Sequence, residues 1–251
     1  MKIVIIGGSG LIGSKLVDRL AERGHEAVPA SPSTGVDTLT GRGLPEVMDG
    51  TSVVVDVSNA PSFEATAVME FFRTSTRNLL KAEEAAGVGH HVALSVVGTG
   101  RRPDNDYFRA KKAQEQLIED GPIPYSIVHA TQFFEFTGSI ADLAAQDGTV
   151  RIPPVQYQPI AAADVAQRLA EVAVGPPLNG RIEIAGPERF RMDEFFRRAL
   201  ADRNDRREVV ADPHAPYFGS EVGERDLVPV EGALTGDIGY DDWPGRTGTG
   251  G

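Results

Sequence analysis

Tyr107 and Lys111 stand four residues apart in DYFRAKKAQEQL, the stretch from Asp106 to Leu117. A phenol that titrates near pH ~10 is a weak acid and a poor base at neutral pH. On a helix this spacing puts both side chains on one face, and an ammonium one turn from a phenol favours the phenolate. Such a pair can move a proton to or from an oxygen, and the lysine can also hold a nicotinamide ribose. ALSVVG places Ser95 at the end of a strand ahead of Tyr107, where a hydroxyl could orient a substrate carbonyl. Ser95, Tyr107 and Lys111 are therefore a candidate set for protonating a carbonyl oxygen as hydride arrives, or for the reverse. Lys112, the next residue, points elsewhere on the helix and is expected to be solvated.

Such chemistry needs a bound dinucleotide, and the N-terminus offers a place for one. KIVIIGGSGLIGSKLVDRLAERGH begins with a continuous apolar β run, and Leu11, Ile12, Leu16, Val17 and Leu20 then recur at helical spacing. Gly7, Gly10 and Gly13 fall between the two. Glycines there let the backbone turn tightly and let a pyrophosphate approach the free N–H groups of the helix N-terminus. A triphosphate-binding loop needs lysine directly after the last glycine; Ser14 intervenes before Lys15. After the second strand, HEAVPA, the stretch ASPSTG carries no acid to hold ribose hydroxyls. Ser31, Ser33 and Thr34 could instead donate to a 2′-phosphate, with Arg42 as a cation that could reach it. The expected cofactor is NADP, with NAD as the alternative.

The remaining elements frame these residues. TSVVVDVS, HHVALSVVG and YSIVHA read as strands, PSFEATAVMEFFRTSTRNLLKAEEAAG and FRAKKAQEQLIED as helices. Strands alternating with helices imply a parallel sheet covered on both faces. The expected fold class is therefore α/β, a Rossmann-type doubly wound parallel sheet with a small C-terminal substrate lobe. The dinucleotide-binding core is assigned to residues 1–130 and the lobe, interleaved with the core, to 131–240. Residues 241–251, ending in WPGRTGTGG, are expected to form a flexible tail. In DVAQRLAEVAV, Asp164 is expected to cap a helix, with Gln167 three residues on.

Composition narrows the function classes. Apolar residues make up 41% of 251, enough for a real core. The chain has no cysteine, which excludes disulfides, thiolate metal sites and cysteine nucleophiles. A net charge of −11 disfavours nucleic acid as a partner. No apolar run is long enough for a membrane span and no signal-peptide pattern opens the chain, so the expected location is the cytoplasm. No hydrolase elbow of the G-x-S-x-G type occurs. His90 and His91 face opposite sides of a strand, so no metal site is expected. His214, in the turn-rich DPHAPYFG, is a candidate cap for the site.

These motifs carry a resemblance. GGSGLIG, RNLLKAEEAAGVGHHVALSVVG, YFRAK, TQFFEF, PIAAADVA and AGPERF resemble the atypical short-chain dehydrogenase/reductases, close to NmrA-like NAD(P)-binding proteins, over roughly residues 1–200. The resemblance implies that Gly7, Ser9, Gly10, Leu11, Ile12 and Gly13 cradle a pyrophosphate. It places Asp37 and Thr38 near the adenine and Ser58, Asn59 and Ala60 beside the ribose, and it matches Ser95, Tyr107 and Lys111 to the catalytic positions. Two departures stand out. His129-Ala130 replaces an Arg-Pro common among relatives, and the region between the second and third strands is short. Many NmrA-like members lack the Tyr–Lys pair and act as redox sensors, so its presence favours an enzyme.

Gln132, Phe133, Phe134 and Phe136 follow a strand end, where ligands gather in doubly wound sheets. Gln132, Phe133 and Phe134 are candidate substrate contacts, and the aromatic side chains suit a flat carbonyl compound or quinone. The sequence thus points to an NAD(P)-dependent oxidoreductase with a small-molecule substrate, monomeric or homodimeric. A non-catalytic NAD(P) sensor and a nucleotide-sugar epimerase or dehydratase are the alternatives.

Overall fold

The structure, a computed structural model, describes residues 1–247. In chain order the first half comprises β1 (Lys2–Ile6), α1 (Leu11–Glu22), β2 (Glu26–Ala30), α2 (Leu44–Met48), β3 (Val53–Asp56), α3 (Ala65–Ala86), β4 (His90–Val96), α4 (Asp106–Glu119) and β5 (Tyr125–Ala130). There follow α5 (Thr137–Leu143), β6 (Ala145–Gln146), β7 (Thr149–Ile152), β8 (Gln156–Tyr157), α6 (Ala162–Val174) and β9 (Gly180–Ala185). The last elements are β10 (Phe190–Arg191), α7 (Met192–Asp202), β11 (Glu208–Ala211) and β12 (Leu234–Thr235). Among the described residues no helix is long and apolar enough to cross a membrane.

β1 and β3 are buried at successive positions, not at alternate ones. A strand covered on one face alternates; a continuous apolar run needs cover on both. Val4, Ile6 and Val54 pack with Leu44, Met48 and Leu79 of α2 and α3. The seven-stranded sheet has the order β12-β9-β5-β4-β3-β1-β2, and its β1–β2, β1–β3, β3–β4 and β9–β12 pairs run parallel. The register aligns Ile6 with Ala30 and Asp56, and Asp56 with Ala93. Gly7, Ser31, Val57 and Leu94 are therefore each one residue past the same row. The α/β Rossmann-type architecture expected from the sequence is present.

The chain divides into two units: Met1–His129 with Val165–Ile182, and Ala130–Asp164 with the chain from Glu183 onward. The first holds the glycine loop and the Tyr–Lys helix. The second has an aromatic core in which Phe134, Tyr157, Phe195, Phe196, Tyr240 and Trp243 pack together. Trp243 was expected in a fraying tail, yet its ring lies 5.4 Å from that of Phe134 and is buried. The end of the expected tail, residues 248–251, lies outside the described residues.

The capping expectation at Asp164 is corrected. α6 begins two residues earlier, so Asp164 sits inside its first turn and accepts a hydrogen bond from Ile238 N at 2.9 Å. The carboxylate of Glu135, distant in sequence, accepts from Ala162 N instead, at 3.1 and 3.2 Å.

Candidate active site

The glycine loop is built by close approach. A Cβ on Gly13 would lie 2.2 Å from Gly7 O, and one on Gly8 2.6 Å from Pro29 Cα. Gly7 has φ +80°, and a Cβ there would meet Ser58 Cα at 3.0 Å. Gly10 is different. Its Cβ would meet only Gly7 O, at 3.3 Å, and it is the N-cap of α1 without a side chain to occupy the helix end. The bond from Ser14 N to Gly10 O starts the helix. The N–H groups of Leu11, Ile12 and Gly13 precede it and find no acceptor within the helix. No acid stands in the first turn of α1. A bare helix end beside a glycine-rich loop fits a dinucleotide pyrophosphate. Ser9 and Leu11 are exposed on this loop, whereas the Ile12 side chain is buried beneath it.

The hydroxyls after β2 are partly committed. Thr34 Oγ1 accepts from Ser31 N at 2.9 Å and gives its proton to Ser31 O at 3.0 Å, closing a one-turn capping box. Ser31 Oγ and Ser33 Oγ are 2.8 Å apart. One of them donates to the other, so the pair keeps one proton for an anion. Asp37 Oδ1 accepts from Leu39 N and Thr40 N at 2.9 and 3.3 Å. These bonds, with the charge of Arg42, outweigh desolvation and hold its carboxyl below its usual range. Thr38 O accepts from Asn78 Nδ2 at 2.8 Å.

From the glycine loop a chain of contacts reaches the lysine. Gly7 abuts Ser58. Ser58 N and Oγ both donate to Asp56 Oδ1, at 2.9 and 2.6 Å. Asp56 Oδ2 accepts from Gln114 Nε2 at 2.9 Å, and Gln114 Oε1 accepts from Lys111 Nζ. Asn59 is exposed, and Ala60 packs with Val68, Phe72 and Ala110.

The Tyr–Lys pair is not arranged as spacing alone implies. Lys111 Nζ turns toward the sheet, donates to Leu94 O at 2.9 Å and lies 4.4 Å from the centre of the Phe72 ring. Burial pulls its pKa down to about 8, against the opposing charges of Asp56 and Glu115. Tyr107 packs among Phe63, Phe72 and Phe108. Burial pushes its phenol up to about 12. The lowering expected from Lys111 is absent, and the ammonium is bonded to Leu94 O and Gln114 Oε1.

Ser95 is engaged as well. Its Oγ donates to Glu115 Oε1 at 2.6 Å, so its one proton is not available to a carbonyl. His129 Nε2 lies 2.9 Å from the same carboxylate oxygen, and Arg181 Nε 3.6 Å from the other. Burial would raise Glu115, but the contacts with His129, Ser95 and Arg181 outweigh it and hold the carboxyl below its usual range. Asp56, Gln114 and Glu115 were missed from sequence. A signal existed: Gln114 and Glu115 interrupt the buried stripe of α4 formed by Phe108, Ala110, Lys111 and Ile118. Lys112 is partly exposed, 3.9 Å from both Glu115 and Glu119.

In the second unit, Phe134 is fully buried between Phe195, Tyr240 and Trp243. It is a core residue, not a substrate contact. Phe133 stacks on Phe136 with ring centres 5.3 Å apart. Gln132 is 7% exposed and neither carboxamide atom has a hydrogen-bond partner. A buried carboxamide left so is costly, and it is available to a bound polar group. His214 stands exposed with its ring 3.2 Å from Glu221.

Comparisons with known proteins bear on the family and the fold. A family profile described as NAD(P)H-binding matches residues 7–176. A photosystem II assembly factor of Synechocystis sp. is 20% identical over 149 residues, 54% of this chain and 46% of that protein. The match thus spans less than half of that relative's length. A dTDP-glucose 4,6-dehydratase double mutant from Streptomyces venezuelae, solved with NAD bound, superposes with a TM-score of 0.76 at 16% identity, covering 98% of this chain and 95% of that one. A dTDP-4-dehydrorhamnose reductase from Bacillus anthracis, in complex with NADP, gives 0.70 at 16% identity with 94% of each chain covered. The Thermus thermophilus UDP-glucose 4-epimerase complex with NAD gives 0.70 at 17%, over 90% and 92%. At these identities the likeness is one of fold.

Proposed function

Because the chain belongs to the NAD(P)H-binding family, we propose that it is an NAD(P)-dependent oxidoreductase that reduces a small carbonyl compound or quinone, with Tyr107 as proton donor. The observation that carries the reading is the chain of contacts from Gly7 through Ser58, Asp56 and Gln114 to Lys111. It ties the phosphate-binding loop to the helix that bears the proton donor, all within one unit.

Gly7, Ser9, Gly10, Leu11, Ile12 and Gly13 would hold the pyrophosphate. Ser31 and Ser33 would meet a 2′-phosphate, with Thr34 shaping their turn; Asp37 and Thr38 would border the adenine. Ser58, Asn59, Ala60 and Lys111 would border the ribose. When bound, the nicotinamide supplies hydride. Tyr107 keeps its proton at Oη at neutral pH, because burial holds its phenol up at about 12. That state suits an acid that protonates a developing alkoxide better than a base that oxidises an alcohol. Lys111 contributes a fixed positive charge on the same helix. Ser95 offers lone pairs, since Glu115 takes its proton, and so would accept from a substrate hydroxyl or N–H. Gln132 and Phe133 are proposed to meet the substrate.

The test is titration of NADPH and NADH by fluorescence, followed by a turnover panel of ketones, quinones and nucleotide sugars. Tighter NADPH binding with consumption of a ketone or quinone is expected. NADPH binding with no turnover on any of them would leave a sensor, and turnover confined to nucleotide sugars would move the reading to that class.

A further inference from the structure

We propose that Gln114 is a positioning residue for Lys111: its carboxamide, bonded to Asp56 on one side and to the lysine ammonium on the other, sets where that charge stands. The proposal rests on the reading of Lys111 as part of the site.

Asp56, Lys111 and Gln114 are all buried, at 1%, 3% and 1% exposure. A carboxylate and an ammonium buried side by side close into an ion pair, which neutralises both. Gln114 stands between them. A primary carboxamide is uncharged and both donates and accepts, so it bonds each ion without adding charge. Its orientation follows from the partners: an ionised carboxylate only accepts and an ammonium only donates. The Nε2 therefore faces Asp56 Oδ2, at 2.9 Å, and the Oε1 faces Lys111 Nζ. The other Asp56 oxygen is taken twice by Ser58. Leu94 O takes a second lysine proton, and the Phe72 ring lies against the ammonium.

The charged groups facing Lys111 are Asp56 from β3 and Glu115 from α4 itself. Glu115 is in turn engaged by His129 from β5 and Arg181 from β9, with Lys112 at its edge. Because these stay in place when residue 114 changes, Lys111 itself reports on the carboxamide.

The chain has five lysines, so Lys111 can be followed in the cofactor-free protein by 13Cε-lysine NMR against pH. Its signal is assigned as the one missing from Lys111→Arg. Gln114→Leu keeps the volume but removes the acceptor, and the Lys111 midpoint is expected to fall by about one unit. Gln114→Glu keeps an acceptor and adds a charge, and the midpoint is expected to rise by about one unit. A residue that merely packs would leave the Gln114→Leu midpoint at the parent value, while the added charge alone would raise that of Gln114→Glu. A Gln114→Leu midpoint that stays at the parent value, or rises, overturns the proposal. If Gln114→Leu fails to fold, Gln114→Met, which also lacks the carboxamide, decides in its place, an unmoved midpoint being the contrary result. Divergent midpoints in a protein that turns over no carbonyl would uphold the positioning role and count only against the oxidoreductase reading.

Discussion

Ser95 Oγ and Glu115 Oε1 are 2.6 Å apart, a hydroxyl on β4 giving its single proton to a carboxylate on α4. The same carboxylate faces His129 on β5 and Arg181 on β9. One side chain therefore ties the helix that carries Tyr107 and Lys111 to three strands. Removing the charge of Glu115 while keeping its shape takes the buried counter-charge from His129, while Arg181 keeps its ion pair with Glu119. Glu115→Gln is expected to lower unfolding free energy by about 3 kcal/mol, the scale for a broken buried pair, measured by urea denaturation. A change below about 0.5 kcal/mol, the size of a neutral surface substitution, would mean that the cluster is not holding the helix.

Two adjacent histidines should give stability opposite dependences on pH. His91 and Glu83 are fully buried, 2.9 Å apart. Burial pulls His91 down, but the charge and hydrogen bond of Glu83, with Asp56, outweigh it and raise the imidazole. A raised folded value means that its stabilisation is fully present below pH about 6.5 and is lost as pH rises through the folded value. His90 runs the other way. Burial first, then the charge of His91, lowers it to about 4. Its neutral ring is favoured in the fold, so stability is present above pH about 6.5 and is lost as pH falls toward about 4. His90→Asn should flatten the acid limb of a stability–pH curve and His91→Gln the alkaline limb. A parent curve without either slope would contradict both assignments.

The glycines separate folding from binding. Gly13→Ala places a methyl 2.2 Å from Gly7 O, against backbone that cannot yield cheaply. It is expected to destabilise by about 3 kcal/mol or more, at or above the usual overpacking range. Gly10→Ala meets Gly7 O at 3.3 Å and nothing else within 4 Å. Its melting temperature should stay within a few degrees of the parent, while NADPH binding weakens at least several-fold because the methyl borders the helix end. Unchanged NADPH affinity in Gly10→Ala would place the pyrophosphate elsewhere.

The fold was legible where information is local. Continuous apolar runs at β1 and β3, helical spacing in α1 and glycines at the turn each encode their own structure. The site was legible in residue choice but not in direction. Lys111 is held by Leu94 O and Gln114, the latter anchored by Asp56, 58 positions away along the chain. No spacing rule on α4 contains that carboxylate. Phe134 follows a strand end as a substrate contact would, yet α7 and the segment around Tyr240 and Trp243 enclose it. His129 was visible as a departure from Arg-Pro; its partner Glu115 became visible only when β5 lay beside α4.

The central claim is that Tyr107 donates the proton in a carbonyl reduction, and Tyr107→Phe tests it most directly. The substitution removes one oxygen from a ring held by Phe63, Phe72 and Phe108, so NADPH affinity and melting temperature should match the parent. Turnover of whichever ketone or quinone the parent reduces should fall about 100-fold or more, as expected for loss of a general acid. Tyr107→Phe that binds NADPH normally and reduces the same substrate at the parent rate would contradict the claim.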